Sequence, residues 1–166
     1  ATADIVITTG GVSVGEADYV RDALEALGKV SLWKVAMKPG RPLAFGKVVN
    51  AAFFGLPGNP VSAMVTFYQF VLPAINKAMG IKDTTTLSFK VVSLSFLKKR
   101  PGRVEYQRGI LSRDNSGELV VSNTGGQGSG ILSSMANANC FIILPLESDG
   151  VSPGETVEVQ PFYGLM

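Results

Sequence analysis

Residues 5–15 read IVITTGGVSVG, a short apolar and β-branched run that stops in a glycine-rich loop. Ile5 to Thr8 has the chemistry of a strand. From Asp18 to Leu27 the apolar residues Val20, Ala23, Leu24 and Leu27 then fall at helical spacing, and Gly28 supplies a stop. Strand, glycine loop and helix in that order are the repeating unit of an α/β layer structure. Glycines in such a loop let backbone N–H groups approach a ligand closely, and the start of the following helix favours negative charge. The spacing matches neither GxxxxGK[ST] nor GxGxxG, so it is neither a P-loop nor a dinucleotide fingerprint. Taken alone, the loop reads equally well as a tight strand-to-helix turn.

The same rhythm continues outward. Val30 to Val35 reads as a strand and is followed by KPGRP at 38–42. Leu43 to Val49 and Ala52 to Leu56 are two further strands joined by a turn near Asn50, and after PGNP at 57–60 an apolar helix runs from Pro60 to about Met79. Beyond a polar break at 84–86 the character changes. Short strands at Leu87 to Phe96, Arg103 to Leu111, Glu118 to Val121, Cys140 to Leu144 and Glu155 to Val159 are separated by RPGR, DNSG and DGVSPG. Many short strands with Gly and Pro punctuation predict a small barrel or sandwich. The expected organisation is an α/β domain over 1–80 and a β domain over 84–166, with the boundary near 81–86. An α/β unit that meets its glycine loop at residue 10 lacks a preceding strand and helix, so the chain is expected to be the C-terminal fragment of something longer.

Composition narrows the chemistry. Of 166 residues, 46% are apolar and 17% charged, which excludes a disordered chain. No apolar run is long enough to span a bilayer, the N-terminus lacks a basic signal region, and the single Cys140 forbids an internal disulfide, so a cytoplasmic protein is expected. Histidine is absent, which removes His-based zinc sites, Ser-His-Asp triads and histidine bases within this chain. Between Glu25 and Asp83 no acidic residue occurs, whereas Lys29, Lys34, Lys38, Arg41, Lys47, Lys77 and Lys82 do. Such a run suits an anionic partner or a solvated basic face. Nucleic acid fits less well, because the run lacks interleaved stacking aromatics.

Three loops carry the candidate residues. In TTGGVSVG these are Gly10, Gly11, Ser13 and Gly15. In LPGNPVSA, Asn59 is expected to cap the helix and Pro60 to occupy its first turn, with Pro57 and Gly58 before them and Ser62 beyond. Both helix starts follow strands and should open on one carboxyl edge of the sheet, where ligands of α/β sheets bind. KPGRP is a stiff loop that presents Lys38 and Arg41 to an oxyanion. Glu16 and Asp18 stand near the first loop, and carboxylates beside a phosphate site are what magnesium takes. Asp18 is also a good helix N-cap.

The combination of GGVSVGEADY, WKVAMKPGRPLAFG, GLPGNPVSA, KKRPGR with YQRG, and TGGQGSG resembles the C-terminal half of the molybdopterin molybdenumtransferase (MoeA) family, to which the gephyrin E domain is related. The resemblance implies an incomplete three-layer α/β/α molybdopterin-binding domain followed by a small C-terminal β-barrel. It implies an enzyme that takes molybdopterin-AMP and molybdate, releases AMP with Mg2+, and places molybdenum on the dithiolene. A homodimer is implied, with molybdopterin adenylyltransferase as a further partner and neither nucleic acid nor membrane involved.

By position, Asp18 matches the family's acidic residue after the glycine loop, with a catalytic and magnesium-holding role, and Ser13 matches its loop serine. Lys34 and Lys38 match its two functional lysines, for which a catalytic role is implied. Gly10, Gly11, Ser13, Gly15, Pro57, Gly58, Asn59 and Pro60 are implied to hold the molybdopterin phosphate. Lys38, Arg41, Pro42, Ser62, Arg108 and Ser129 are implied to hold molybdate. The family's second essential acidic residue lies upstream of residue 1, so the chain alone is expected to bind molybdopterin weakly and to have no turnover. Two other readings stand beside this one: a gephyrin-type scaffold module, and a molybdopterin adenylyltransferase, against which the second domain argues.

Overall fold

The computed structural model describes residues 3–10, 28–83 and 85–162. The glycine-loop residues 11–15 and the helix expected over 18–27 lie outside them. Two units divide the chain. The first comprises Ala1–Val35 and Pro39–Thr84, the second Ala36–Lys38 and Thr85–Met166.

In the first unit, β1 (Ile5–Thr9), β2 (Gly28–Lys34), β4 (Pro42–Val48) and β5 (Ala51–Leu56) form one sheet in the order β1-β5-β4-β2. β1 and β5 run parallel, and β4 is antiparallel to both β5 and β2. The alternation of apolar residues explains its two faces. Ile5, Leu43, Phe54 and Leu56 pack on one side, while Ala44 and Phe53 gather Val6, Val30 and Val48 on the other.

The first of these faces receives the helical run after PGNP. It consists of α1 (Pro60–Thr66), a π-helical turn (Phe67–Val71) and α2 (Leu72–Ala78), with Phe67, Phe70, Val71, Ala74 and Ile75 against the sheet. The periodicity predicts one uniform helix. The π turn interrupts it immediately before Pro73, whose nitrogen cannot donate and whose ring crowds the carbonyl four residues back, so the preceding turn widens.

The second unit holds β3 (Met37–Lys38), β6 (Phe89–Ser93), β7 (Leu97–Lys98), β8 (Val104–Arg113), β9 (Leu119–Asn123), α3 (Leu132–Ala136), β10 (Cys140–Leu144), β11 (Gly150–Val151) and β12 (Thr156–Pro161). The pairings β8-β9-β6-β12-β10-β8 close a five-stranded barrel, in which only β6 and β9 run parallel. β3 adds in parallel to the start of β8. Val91, Leu97, Val121, Cys140, Ile142, Leu144, Val157 and Val159 fill the interior. The architecture is therefore α/β with a C-terminal barrel.

β8 makes closure possible because it is used twice. Residues 105–109 pair with β10 and residues 109–113 with β9, and Gly109 belongs to both ladders. A Cβ there would meet Ile142 Cγ1 at 2.7 Å and Cys140 Sγ at 3.0 Å, so glycine is required by space. Where each neighbouring strand ends, a side-chain amide continues its ladder. Asn139 Oδ1 accepts from Leu111 N–H at 2.7 Å and its Nδ2 donates to Leu111 O at 2.9 Å. Gln127 does the same for Arg108, at 2.8 and 3.1 Å. Buried backbone groups need partners, and these amides supply them.

Candidate functional site

The parallel pair β1 and β5 brings the junctions that follow the two strands side by side. Gly10, with φ 86°, follows β1 and donates its N–H to Leu56 O at 3.0 Å, the last residue of β5. A Cβ on Gly58 would sit 3.3 Å from Gly10 Cα, so two bare backbones lie against each other at the carboxyl edge of the sheet. Side chains at either position would fill the space that a ligand approaching the backbone needs. Pro57 is buried, Gly58 and Pro60 are exposed, and Asn59 is half-buried.

The capping expectation for Asn59 needs correction. Asn59 does occupy the N-cap position with Pro60 behind it, and its carbonyl accepts from Ala63 N–H at 2.9 Å, but its side chain makes no cap hydrogen bond. Instead Asn59 Oδ1 is a buried oxygen without a partner, and so is Thr8 Oγ1. Leaving a buried polar atom unpaired costs about 1–3 kcal/mol. Both orphans belong to the two junctions, Thr8 just before Gly10 and Asn59 just after Gly58. Ser62 is buried one turn into the helix, where its carbonyl accepts from the Thr66 hydroxyl at 2.7 Å. Ser13, Gly11, Gly15, Glu16 and Asp18 lie outside the described residues.

The cations of the middle loop are exposed. Lys34 ends β2 opposite Pro42, and the chain closes again when Val35 N–H donates to Arg41 O at 2.8 Å. Lys34 and Arg41 stay with the first unit, whereas Lys38 is part of β3 in the second. There Lys38 faces Glu105 in register, and its Nζ reaches Glu105 Oε1 at 3.0 Å. Gln107 Nε2 donates to the same oxygen at 3.2 Å and to Lys98 O at 2.9 Å. Sequence reasoning missed Glu105 and Gln107. Their signal was present in VEYQRG: polar residues at alternate positions of a strand whose next two positions on that face are Gly109 and Leu111.

Arg108 is 1% exposed and turns onto its own unit. Its Nε donates to Ser134 Oγ at 2.9 Å and its Nη2 to Gly128 O at 3.1 Å. Burial lowers the guanidinium pKa, and the Glu105 carboxylate opposes that shift. Arg108 and Gln127 thus fasten the loop 124–130, which carries the half-buried Ser129. Cys140 is fully buried inside the barrel, and burial pushes its thiol up to about 12, so it is no nucleophile at neutral pH. Among the described residues no three carboxylate or cysteine side chains gather as a metal cluster, and no helix is long and apolar enough to cross a membrane.

Comparison with known proteins decides what this arrangement belongs to. A family model described as a probable molybdopterin binding domain matches residues 1–77, and one described as the MoeA C-terminal region (domain IV) matches residues 90–162. The molybdopterin molybdenumtransferase of Haemophilus influenzae is 50% identical over 165 residues, covering 99% of this chain and 41% of that protein. The chain belongs to the MoeA family.

Other MoeA-like relatives agree. The molybdenum cofactor synthesis protein cinnamon of Drosophila melanogaster is 40% identical over 95% of this chain and 26% of that protein. Gephyrin of Dictyostelium discoideum is 36% identical over 93% and 25%. The crystal structure of a molybdopterin biosynthesis MoeA protein from Pyrococcus horikoshii superposes with a TM-score of 0.78 at 27% identity, covering 98% of this chain and 38% of that one. The chain therefore spans about two fifths or less of the length of these relatives.

Proposed function

We propose that this chain supplies the molybdopterin-holding and molybdate-holding part of a molybdopterin molybdenumtransferase. One observation carries the reading: the Gly10 and Gly58 junctions abut at the carboxyl edge of β1 and β5, with two buried oxygens, on Thr8 and Asn59, left unpaired there. Backbone left bare by glycine suits the close approach of phosphate oxygens. A hydroxyl and an amide can each accept as well as donate, which suits the N–H donors of a pterin ring. Gly10, Gly11, Ser13, Gly15, Pro57, Gly58, Asn59 and Pro60 are the proposed molybdopterin contacts.

Molybdate is a tetrahedral dianion, for which charge-assisted donors are the natural ligands. Lys38, Arg41, Pro42, Ser62 and Ser129 are proposed to serve it, and the interior position of Arg108 makes it the holder of the Ser129 loop. Lys34 contributes positive charge beside Pro42. Asp18 is proposed to hold Mg2+, which would supply charge stabilisation to a leaving phosphate. Its carboxylate lies outside the described residues. A homodimer in the cytoplasm completes the reading, as the family resemblance implies.

The test is a chimaera in which this chain replaces the corresponding part of the Haemophilus influenzae relative. With adenylylated molybdopterin, molybdate and magnesium, the chimaera is expected to release AMP, and this chain alone is not. Gly58→Val should abolish the release by filling the junction. A folded chimaera that binds no molybdopterin would overturn the proposal.

A further inference from the structure

Glu105 has no role in the proposed chemistry, yet it is placed unusually for a carboxylate. Its side chain is 7% exposed, whereas that of its partner Lys38 is 47% exposed. Charged side chains are rarely buried unless paired, because removal from water penalises the ionised form. Glu105 meets that requirement on both sides. Lys38 Nζ donates to its Oε1 at 3.0 Å, and Gln107, anchored on Lys98 O, donates to the same atom at 3.2 Å. The carboxylate is thus held from within the barrel unit, and the lysine is the more exposed member of the pair.

The backbone fixes the remaining freedom. Lys38 and Glu105 are direct partners in the parallel β3–β8 ladder, Val104 N–H donates to Ala36 O at 2.9 Å, and Met37 between them is buried. Only the Lys38 side chain could wander, and an unrestrained lysine has more rotamer freedom to lose on meeting a ligand than almost any other residue. A salt bridge to a rooted carboxylate removes much of that freedom beforehand. The ammonium has three N–H donors and Glu105 takes one, which leaves two for an anion.

We propose that Glu105 is a positioning residue that orients Lys38 for an oxyanion. The inference rests on the reading that Lys38 serves molybdate. The same division of labour operates where a glutamate holds the lysine that contacts ATP phosphates in protein kinases. A carboxylate near a dianion also repels it, but Glu105 is already matched by Lys38, and removing repulsion would tighten molybdate whereas removing positioning weakens it.

The experiment uses this chain with sodium molybdate as the probe, in titration calorimetry at low and high ionic strength, with Glu105→Gln, Lys38→Met and the double variant. Acetylation of Lys38 and Lys34 by a succinimidyl ester, read by mass spectrometry, reports the clasp without any ligand. Glu105→Gln is expected to raise Lys38 acetylation several-fold with Lys34 unchanged. It should weaken molybdate five- to tenfold at low ionic strength and less at high ionic strength, and have no further effect in the Lys38→Met background. Unchanged acetylation overturns the positioning role at its root. Molybdate binding weakened by Lys38→Met but unchanged or tightened by Glu105→Gln overturns the inference alone. Binding that ignores Lys38→Met, or is absent in the parent chain, overturns the underlying reading and the inference with it.

Discussion

The barrel and the α/β unit satisfy their polar and apolar groups in opposite ways. The barrel closes its hydrogen-bond ladder on itself, and Asn139 and Gln127 complete it where β10 and β9 run out. Its interior is a continuous cluster of buried residues. The sheet of the α/β unit ends instead on β1 and β2, without a further strand among the described residues. Trp33 is 57% and Phe45 46% exposed beside an apolar groove of about 420 Å³. The two orphaned oxygens also lie here. The difference has a physical lesson: a sheet closed on itself leaves no strand edge unpaired, whereas an open sheet has to satisfy its edges by other means.

The sharpest way to break this comparison is Gly109→Val. The added carbons would overlap Ile142 and Cys140 inside the closed barrel, and such overpacking is expected to lower stability by about 3 kcal/mol. Urea unfolding measures it, and a loss under ~1 kcal/mol would mean that the barrel yields where close packing says it cannot. Gln127→Ala comes next. It strips the Arg108 N–H of its side-chain partner, while Arg108 O keeps Thr124, and should cost about 1 kcal/mol, with faster hydrogen exchange at the Arg108 amide. Unchanged protection there would show that the amide ladder is dispensable. The smallest effect is expected from Trp33→Ser in the open unit, within ~0.5 kcal/mol of the parent because the ring is already mostly in water. A loss above ~1.5 kcal/mol would make the groove part of a core and remove the contrast.

Much of the fold was legible because it is local. The strand over Cys140 to Leu144 has the bounds that its apolar run predicts, and the strands over 5–9 and 51–56 lie within a residue of theirs. What stayed hidden is short or context-driven. β3, β7 and β11 have two residues each and α3 has five, too few for any period to register. The strand expected to reach Phe96 stops at Ser93, where the Ser93 hydroxyl donates to Ser95 O at 2.8 Å and turns the chain. In the candidate site, glycine, proline and lysine were visible as residue types. The inward turn of Arg108 was not, because a strand pattern gives a side chain's face and not the partners waiting there.

By itself, the sequence determined the strands that precede Gly10 and Gly58, the β-rich second half and the motifs that ally the chain with MoeA. Each is written in neighbouring residues, through β-branching, glycine freedom and proline geometry. Only the tertiary structure decided that Gly10 lies against Gly58, that Thr8 and Asn59 keep unpaired oxygens beside them, and that Glu105 holds Lys38 across 67 positions of chain. Those contacts depend on which strands pair and in what register, and register is settled by the packing of the whole sheet.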